Sequence, residues 1–377
     1  MVKKLIFPLM AVALSTGMAL LTLEALLRFF PVSTRRHVQP VNSASPIMHY
    51  KPNNEFTFSS GWNFTLVNRG HINNYGYVND HDYLPDVKTP LLAVIGDSYI
   101  DALMTPFAET VHGRLWDCFN PDYRVYSFSV SGSPLSQYLA YTRYVAETFA
   151  PKVVAVLVVG NDFDESVLRY KNGPGFHYFK EQPDGGLAFT RVDFDPIEQY
   201  GYLPGFIGDS ALLRYFALNL QASILLNRKY FRWRQTSQPF VGNTSASADS
   251  ERVELSKKAV NYFLEQMPGS ARLEARNIVF IVDGLRDLIY EKGKLEEFAG
   301  AYFPVMREYF IQQAKARGFT VVDMQPVFVE HYKKHGQRFE YKTDGHWNGL
   351  AHGLAAKALS ETEVARSVFA SKKECGK

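Results

Sequence analysis

The chain has 377 residues, of which 46% are hydrophobic and 21% are charged, and its formal net charge is +3. This composition can fill a hydrophobic core and argues against a disordered chain. The small charge and the scattered basic residues give no support to nucleic-acid binding, so we expect no nucleic-acid partner. The two cysteines, Cys118 and Cys375, neither establish nor exclude a disulfide, and no Cys or His spacing typical of a metal site occurs.

The N-terminus predicts a membrane anchor. Lys3 and Lys4 precede a largely apolar stretch, residues 5–23, which is about as long as a bilayer-spanning helix must be. A cleaved signal peptide usually has a shorter apolar core and a small-residue cleavage site, and none follows here. We therefore expect residues 1–31 to be an uncleaved single-pass anchor in the inner (cytoplasmic) membrane, with cleavage as the alternative. The rest of the chain is then expected to be periplasmic or extracellular.

Apolar runs farther along the chain predict a parallel sheet. Residues 32–90 are rich in Asn, Pro, Gly and aromatic residues and predict loops and short strands that lead into the main domain. Five buried strands are then predicted at 91–95, 125–130, 153–159, 278–282 and 319–322. Helical patterns separate most of these runs, so we expect an α/β fold: a three-layer α/β/α sandwich with a parallel five-stranded sheet over residues 91–365. Residues 366–377 are expected to be a polar tail.

The gap between the third and fourth runs predicts a long insertion, because about a hundred residues exceed what one crossover needs. We place it at about 166–255, with an amphipathic helix at about 211–226 and a Ser-rich stretch at 236–250. Aromatic residues are dense in it. They are Tyr170, Phe176, Tyr178, Phe179, Tyr200, Tyr202, Phe231 and Trp233. Such rings can stack on sugars, but we expect them to cover the sheet, because aromatic side chains prefer buried sites.

Residues that a nucleophilic serine requires follow the first three strands. Ser98 ends the tripeptide Gly96-Asp97-Ser98 after the first strand, Gly132 follows the second, and Asn161 follows the third. The carboxyl ends of parallel strands share one edge of the sheet, where open α/β sheets bind ligands. We therefore expect Ser98 to be a nucleophile. Its backbone N–H, the backbone N–H of Gly132 and the carboxamide of Asn161 are the expected oxyanion-hole donors.

The base that activates this serine is expected late in the chain. His346, in Thr343-Asp344-Gly345-His346, precedes the last helical stretch and is the best placed of the ten histidines, with Asp344 to orient it. An Asp-Gly-His alone could be only a turn and a helix cap. Its agreement with the three earlier segments favours the catalytic interpretation.

A second Gly-Asp-Ser occurs at 208–210, where it does not follow a strand. It precedes a helical run, and a helix N-cap at Asp209 or Ser210 explains it. The tripeptide by itself therefore does not identify a nucleophile.

In this order, Gly-Asp-Ser, Gly132, Asn161 and the pair Asp344/His346 resemble the SGNH (GDSL-type) hydrolase superfamily, from about residue 73 to 359 without the insertion. Residues 130–162 are especially similar to bacterial members that carry an N-terminal membrane anchor. The resemblance implies a flavodoxin-like fold. It also implies that Ser98 is the nucleophile, His346 the general base and Asp344 its orienter, without metal or other cofactor.

The resemblance further implies ester hydrolysis or acyl transfer, often on lipids or O-acetylated glycans. We expect an ester substrate of that kind and a serine ester hydrolase or O-acyltransferase that forms an acyl-enzyme. The family commonly places its Asp three residues before the His, where this chain has Thr343, so Asp162 and Asp164 are alternative orienters.

Two other functions fit parts of the pattern. A two-metal phosphoesterase would need several His and carboxylate ligands at strand ends, and the histidines of this chain do not cluster in sequence. A non-catalytic glycan-binding or polysaccharide-assembly protein could keep the same fold, because a fold does not imply an activity.

Overall fold

The computed structural model describes residues 2–119, 121, 123–196, 208–220, 239–371 and 373–376. Thirteen strands lie in this part of the chain: β1 Asn54–Ser60, β2 Leu66–Ile72, β3 Leu91–Gly96, β4 Arg124–Ser129, β5 Val153–Val158, β6 His177–Glu181, β7 Leu187–Arg191, β8 Phe240–Val241, β9 Thr244–Ser245, β10 Ile278–Val282, β11 Thr320–Asp323, β12 Glu340–Tyr341 and β13 Asp344–Trp347.

The α-helices of the same residues are α1 Val2–Leu27, α2 Ser98–Asp101, α3 Val111–Phe119, α4 Leu135–Phe149, α5 Asp162–Glu165, α6 Ala211–Arg214, α7 Ser250–Ala271, α8 Arg286–Ile289, α9 Lys294–Glu297, α10 Tyr302–Ala316, α11 Met324–His335, α12 Gly349–Ser360 and α13 Glu363–Val368. Within α1, Ile6–Leu27 has a mean hydropathy of 2.0, and its most apolar stretch is not buried against the rest of the chain. By length and composition this helix could cross a membrane, and an N-terminal signal sequence would have the same properties.

A five-stranded parallel sheet forms the centre of the molecule, in the order β4-β3-β5-β10-β11. Counted along the chain this order is second, first, third, fourth, fifth, which is the flavodoxin-like arrangement. The predicted sheet is confirmed, and each strand begins and ends within one residue of its apolar run. The first strand lies between the second and third, so the loop after β3 is flanked by the loops after β4 and β5.

Helices cover both faces of this sheet. In β3, Leu91, Ala93 and Ile95 pack on one face in a cluster that includes residues of α4, α7 and α10. The alternate residues Leu92 and Val94 pack on the other face with residues of α3, α11, α12 and α13. Burial on both faces explains why the sheet strands are continuous apolar runs and not alternating patterns. The fold is therefore the predicted three-layer α/β/α sandwich.

The segment that leads into the sheet covers one of its edges. Strands β1 and β2 form an antiparallel hairpin, and the chain then passes along β4. The Tyr83 hydroxyl donates to the Ser127 carbonyl oxygen at 2.6 Å and accepts from the Ser127 N–H at 2.9 Å. These two bonds satisfy backbone groups that an edge strand would otherwise expose.

The insertion contains the hairpin β6–β7, the short helix α6 and the hairpin β8–β9. The amphipathic helix predicted at 211–226 is observed as α6 followed by a π-helical turn, Tyr215–Asn219; its last residues lie outside the described residues. Tyr178 and Phe179 are fully buried, as expected for packing, whereas Tyr170 is exposed. Four of the predicted aromatic residues lie outside the described residues: Tyr200, Tyr202, Phe231 and Trp233.

A disulfide joins Cys118 of α3 to Cys375, with Cα atoms 5.2 Å apart. The sequence left this pairing open. Cys375 is buried, so the polar tail is attached to the sandwich next to α3.

Candidate active site

The turn after β3 places Ser98 at the carboxyl edge of the sheet. A Cβ atom on Gly96 would lie 2.5 Å from Ile100 Cγ1, so a glycine is required there for α2 to pack against the strand. Asp97 caps α2, because its Oδ1 accepts from the Tyr99 N–H at 2.9 Å. Ser98 is the first residue of α2, and its side chain lies at the sheet edge, half-buried.

Ser98, His346 and Asp344 lie in one hydrogen-bonded chain. His346 Nε2 is 2.8 Å from Ser98 Oγ, and His346 Nδ1 is 2.5 Å from Asp344 Oδ1. The same carboxylate oxygen accepts from the backbone N–H of His346 at 2.9 Å. Asp344 and His346 are two residues apart in strand β13, and alternate residues of a strand point to the same side. Because they are two residues apart in a strand, Asp344 and His346 can contact each other on the same side.

The Asp344 carboxylate makes the His346 imidazole more basic. Burial lowers the pKa of His346, but the hydrogen bond and charge of Asp344 outweigh it and raise the pKa above its ordinary value. Burial likewise raises the pKa of Asp344, and the hydrogen bonds and charge of His346 outweigh it and lower the pKa. Asp344 therefore holds a negative charge that stabilises His346 when the imidazole takes a proton.

The two alternative orienters do not contact His346. Asp162 accepts from the Tyr138 hydroxyl and the Val159 N–H, both at 2.8 Å. Asp164 pairs with Arg252 at 2.8 Å. Among the three carboxylates considered, Asp344 is the partner of His346 in this structure.

The expected oxyanion-hole residues lie on the two loops that flank the Ser98 loop. Gly132 has φ +87°, a value that favours glycine, and its carbonyl oxygen accepts from Lys171 Nζ at 2.7 Å. Within the described residues, no group accepts a hydrogen bond from the backbone N–H of Ser98, the backbone N–H of Gly132 or the Asn161 carboxamide nitrogen. Three donors on adjacent loops are thus free to bind a ligand.

Sequence reasoning missed a residue that holds Asn161. The Asn243 carboxamide nitrogen donates to Asn161 Oδ1, and Asn243 Oδ1 accepts from the Asn161 backbone N–H at 3.1 Å. Because its oxygen is bound, the Asn161 carboxamide keeps its nitrogen free on the other side. A Cβ on Gly160 would lie 2.7 Å from Asn243 Oδ1, so the glycine before Asn161 makes room for this contact.

A buried ion pair, also missed in the sequence, holds strand β13, which carries His346. Arg286 forms hydrogen bonds to Asp283 and donates to the Gly345 carbonyl oxygen at 3.1 Å and to the Tyr99 hydroxyl at 2.8 Å. Asp283 also accepts from the Trp347 indole N–H at 2.9 Å. Arg286 therefore links the residue between Asp344 and His346 to the helix of Ser98. Neither Arg286 nor Asp283 belongs to a local motif, so the sequence does not indicate this role.

Two cavities border the residues of the candidate active site or their neighbours in the chain. One, of about 800 Å³, is lined by Arg338 and residues 340–345, and so borders Asp344. The other, of about 330 Å³, borders Ser131 and is lined in part by Arg36, Tyr50 and Phe176. No group of three or more His, Cys, Asp or Glu side chains able to hold a metal ion occurs among the described residues.

The second Gly-Asp-Ser has a structural role. Ser210 Oγ accepts from the Leu213 N–H at 3.2 Å and caps α6, as predicted. Its hydroxyl also donates to Glu24 of α1 at 2.8 Å.

No family model and no curated protein matches the chain. Solved structures that match include a lipase from a goat rumen metagenome, with 13% identity, 74% of this chain and 99% of that chain covered, and a TM-score of 0.38. An acetylxylan esterase from Geobacillus stearothermophilus matches with 14% identity, coverages of 74% and 95%, and a TM-score of 0.37. A protein from Parabacteroides merdae described as a GDSL-like lipase matches with 13% identity, coverages of 74% and 96%, and a TM-score of 0.36.

These structural neighbours are thus described as a lipase, an acetylxylan esterase and a GDSL-like lipase. At such identities and TM-scores, their activities do not transfer to this chain.

Proposed function

We propose that the protein is a serine ester hydrolase or O-acyltransferase of the SGNH kind that works through an acyl-enzyme. The observation that carries the proposal is the hydrogen-bonded chain from Ser98 Oγ through His346 to Asp344. A serine hydroxyl is a weak nucleophile at its free pKa and needs an adjacent base that is itself oriented. Here His346 is the adjacent base, and Asp344 orients it.

In the proposed mechanism, His346 Nε2 removes the Ser98 proton while Oγ attacks the carbonyl carbon of an ester. The carbonyl oxygen becomes an oxyanion, which the free N–H donors of Ser98, Gly132 and Asn161 bind. The protonated His346 then gives its proton to the departing alkoxide, and the acyl group stays on Ser98. Attack by a second hydroxyl, with His346 again as base, frees the serine.

The second hydroxyl decides between hydrolysis and transfer, since water yields an acid and a sugar hydroxyl yields a new ester. The resemblance to SGNH hydrolases favours an acylated glycan or a lipid as the ester, and the cavity beside Asp344 offers room for a substrate larger than a short acyl ester. The same acyl-enzyme serves both outcomes.

We further propose that α1 is a single-pass anchor in the inner membrane and that the sandwich lies on the periplasmic or extracellular side. The apolar helix has the length of a membrane span. The disulfide between Cys118 and Cys375 favours an oxidising compartment outside the cytoplasm.

The test uses the full chain in detergent with a chromogenic short acyl ester. Ser98→Ala and His346→Ala are each expected to abolish turnover, and Ser210→Ala, which changes the other Gly-Asp-Ser, is the matched control. Mass spectrometry of the protein after incubation with the ester should find the acyl group on Ser98. Equal activity in Ser98→Ala would contradict the assignment. Polysaccharide binding without turnover in the unaltered protein would favour the non-catalytic alternative instead.

A further inference from the structure

Exposed apolar side chains gather where α1 meets the sandwich. Outside α1, ten large apolar residues of the described part of the chain are exposed, and six of them lie here. We call these six the apolar collar: Phe29, Phe30, Trp62, Leu213, Phe216 and Leu218, with exposed fractions between 40% and 87%. Such a concentration on one side of a soluble domain marks a surface that contacts something other than water.

The collar residues come from three segments that contact one another. Phe30 stacks on Phe64 with ring centroids 5.6 Å apart, and Phe64 contacts Tyr215 at the same distance. Phe216 follows at 6.0 Å from Tyr215. The Tyr215 hydroxyl donates to the Trp62 carbonyl oxygen at 2.6 Å, which attaches the tip of the β1–β2 hairpin to the turn after α6.

Polar contacts beneath the collar hold these segments together. Buried Asn219 donates to Ser59 Oγ at 2.5 Å and accepts from the Ser33 N–H at 3.1 Å. On α1, Glu24 accepts from the backbone N–H of Leu212 at 2.8 Å and of Ala211 at 3.1 Å. The carboxylate thus binds the first N–H groups of α6, and α1 is fixed to the surface that carries the collar.

The position of α1 determines what the collar meets. The 22 residues from Ile6 to Leu27 are about 33 Å long at 1.5 Å per residue, and the hydrocarbon core of a bilayer is about 30 Å thick. If the anchor spans the bilayer, the last turn of α1, which carries Glu24 and ends at Leu27, lies at the boundary between hydrocarbon and headgroups. Phe29 and Phe30 then lie at headgroup depth, together with Phe64, which stacks on Phe30 and is two residues from Trp62 in the β1–β2 hairpin.

We propose that the apolar collar inserts into the headgroup region of the bilayer that α1 crosses, so that the sandwich rests on the membrane surface at this side. Aromatic rings are enriched at that depth, because their apolar bodies and polar edges suit the interface. The inference rests on the proposed anchor and not on the proposed ester chemistry. It assigns the lipid interface as the partner of a surface that otherwise faces water.

The test places a single fluorescent label on the full chain in lipid nanodiscs, where the native cysteines are paired with each other. Three variants carry the label: Leu14→Cys within the span, Trp62→Cys in the collar, and Leu84→Cys at an exposed apolar residue outside the collar. Lipids carry a nitroxide quencher either at the headgroup or deep in the acyl chain. We expect the headgroup quencher to remove about half of the fluorescence at position 62 and about a tenth or less at position 84, as interfacial depth requires.

The outcomes separate the collar from the anchor. Deep quenching at position 14 with equal, weak quenching at positions 62 and 84 would overturn the collar and leave the anchor in place. No quenching at position 14 would overturn the anchor, and the collar with it. A label at position 62 that is shielded from water but not quenched would show that protein, and not lipid, covers the collar and would also overturn the inference. The esterase assay of Ser98→Ala is unaffected by any of these results.

Discussion

The carboxamides of Asn161 and Asn243 face each other, and Asn243 binds both the side-chain oxygen and the backbone N–H of Asn161. Asn161 follows β5 at the sheet edge, whereas Asn243 lies between β8 and β9 in the insertion. The insertion therefore contributes to the geometry of a loop that belongs to the central fold. In the proposed mechanism this contact keeps the Asn161 nitrogen turned toward the oxyanion.

Asn243→Ala should lower kcat by about 10- to 100-fold with little change in KM, since a donor that is free to rotate stabilises the transition state less well. Asn161→Ala should cost about 10²- to 10³-fold, as for loss of an oxyanion donor. The double variant should be no slower than Asn161→Ala alone, because Asn243 acts through Asn161. Steady-state kinetics on the short ester measure all three. The matched control is Asn261→Ala, because the Asn261 carboxamide lies on α7 and donates to the Tyr309 hydroxyl of α10. Additive losses in the double variant would refute a positioning role for Asn243.

The pH dependence of kcat/KM should report His346. The neutral imidazole is the base, so activity falls as pH drops through the pKa of His346, which Asp344 holds above the ordinary value of about 6.5. In Asp344→Asn the carboxylate charge is lost, the pKa of His346 falls, and the acid limb should move to lower pH. The plateau should drop by about 10³- to 10⁴-fold, as loss of an orienting Asp does elsewhere. A profile of kcat/KM from pH 5 to 9 measures both the position of the acid limb and the height of the plateau. An acid limb that does not move in Asp344→Asn would mean that the limb reports a group other than His346.

Arg286→Ala should destabilise the fold and impair catalysis together. The change leaves the Asp283 carboxylate buried without its cation, which typically costs about 3–5 kcal/mol of unfolding free energy. It also leaves the Gly345 carbonyl with only the longer hydrogen bond from the Tyr99 hydroxyl, at 3.4 Å, so kcat should fall in the fraction that remains folded. Urea unfolding and active-site titration separate the two effects.

Arg276→Ala is the control for that experiment, because Arg276 forms an exposed ion pair with Glu274 that should contribute less than about 1 kcal/mol. Equal stability of the Arg286 and Arg276 variants would argue against the role assigned to the buried pair.

Cys375→Ser should lower the free energy of unfolding by about 2–4 kcal/mol, the usual effect of a lost disulfide. The Cys118→Ser variant should match it, and the double variant should be no worse than either, because the two sulfurs form one bond. Thermal unfolding with and without a reductant measures the change, and reductant should act only on the unaltered protein. Different losses of unfolding free energy in Cys118→Ser and Cys375→Ser would indicate that the packing of one cysteine side chain, and not the disulfide, accounts for the difference.

The sheet was predictable from sequence because its strands are buried on both faces, which leaves unbroken apolar runs such as 91–95. The residues at the strand ends were predictable for a related reason: parallel strands bring their carboxyl ends to one edge. For Asp344 the sequence left alternatives, since spacing alone does not tell a strand from a turn. In the hairpin β12–β13, Asp344 and His346 lie on the same side of a strand, and Asp344 contacts the His346 imidazole.

The supporting residues could not be predicted in this way. Asn243 reaches Asn161 across 82 positions of the chain, and Arg286 reaches Gly345 across 59. Each contact depends on how an insertion or a loop packs against the sheet, which periodicity and turn residues do not encode. The apolar collar was not predicted either, because its residues come from three separate segments that only the folded chain brings together.

Ser98 and His346 are separated by 248 positions. During synthesis the serine is complete long before its base exists, and a chain that stops short of residue 346 carries an unactivated hydroxyl. If the domain is exported through the membrane as an unfolded chain, the nucleophile acquires its base only once the last part of the sequence has crossed. Under the proposed mechanism and export, material still inside the cell would therefore hold no activated serine.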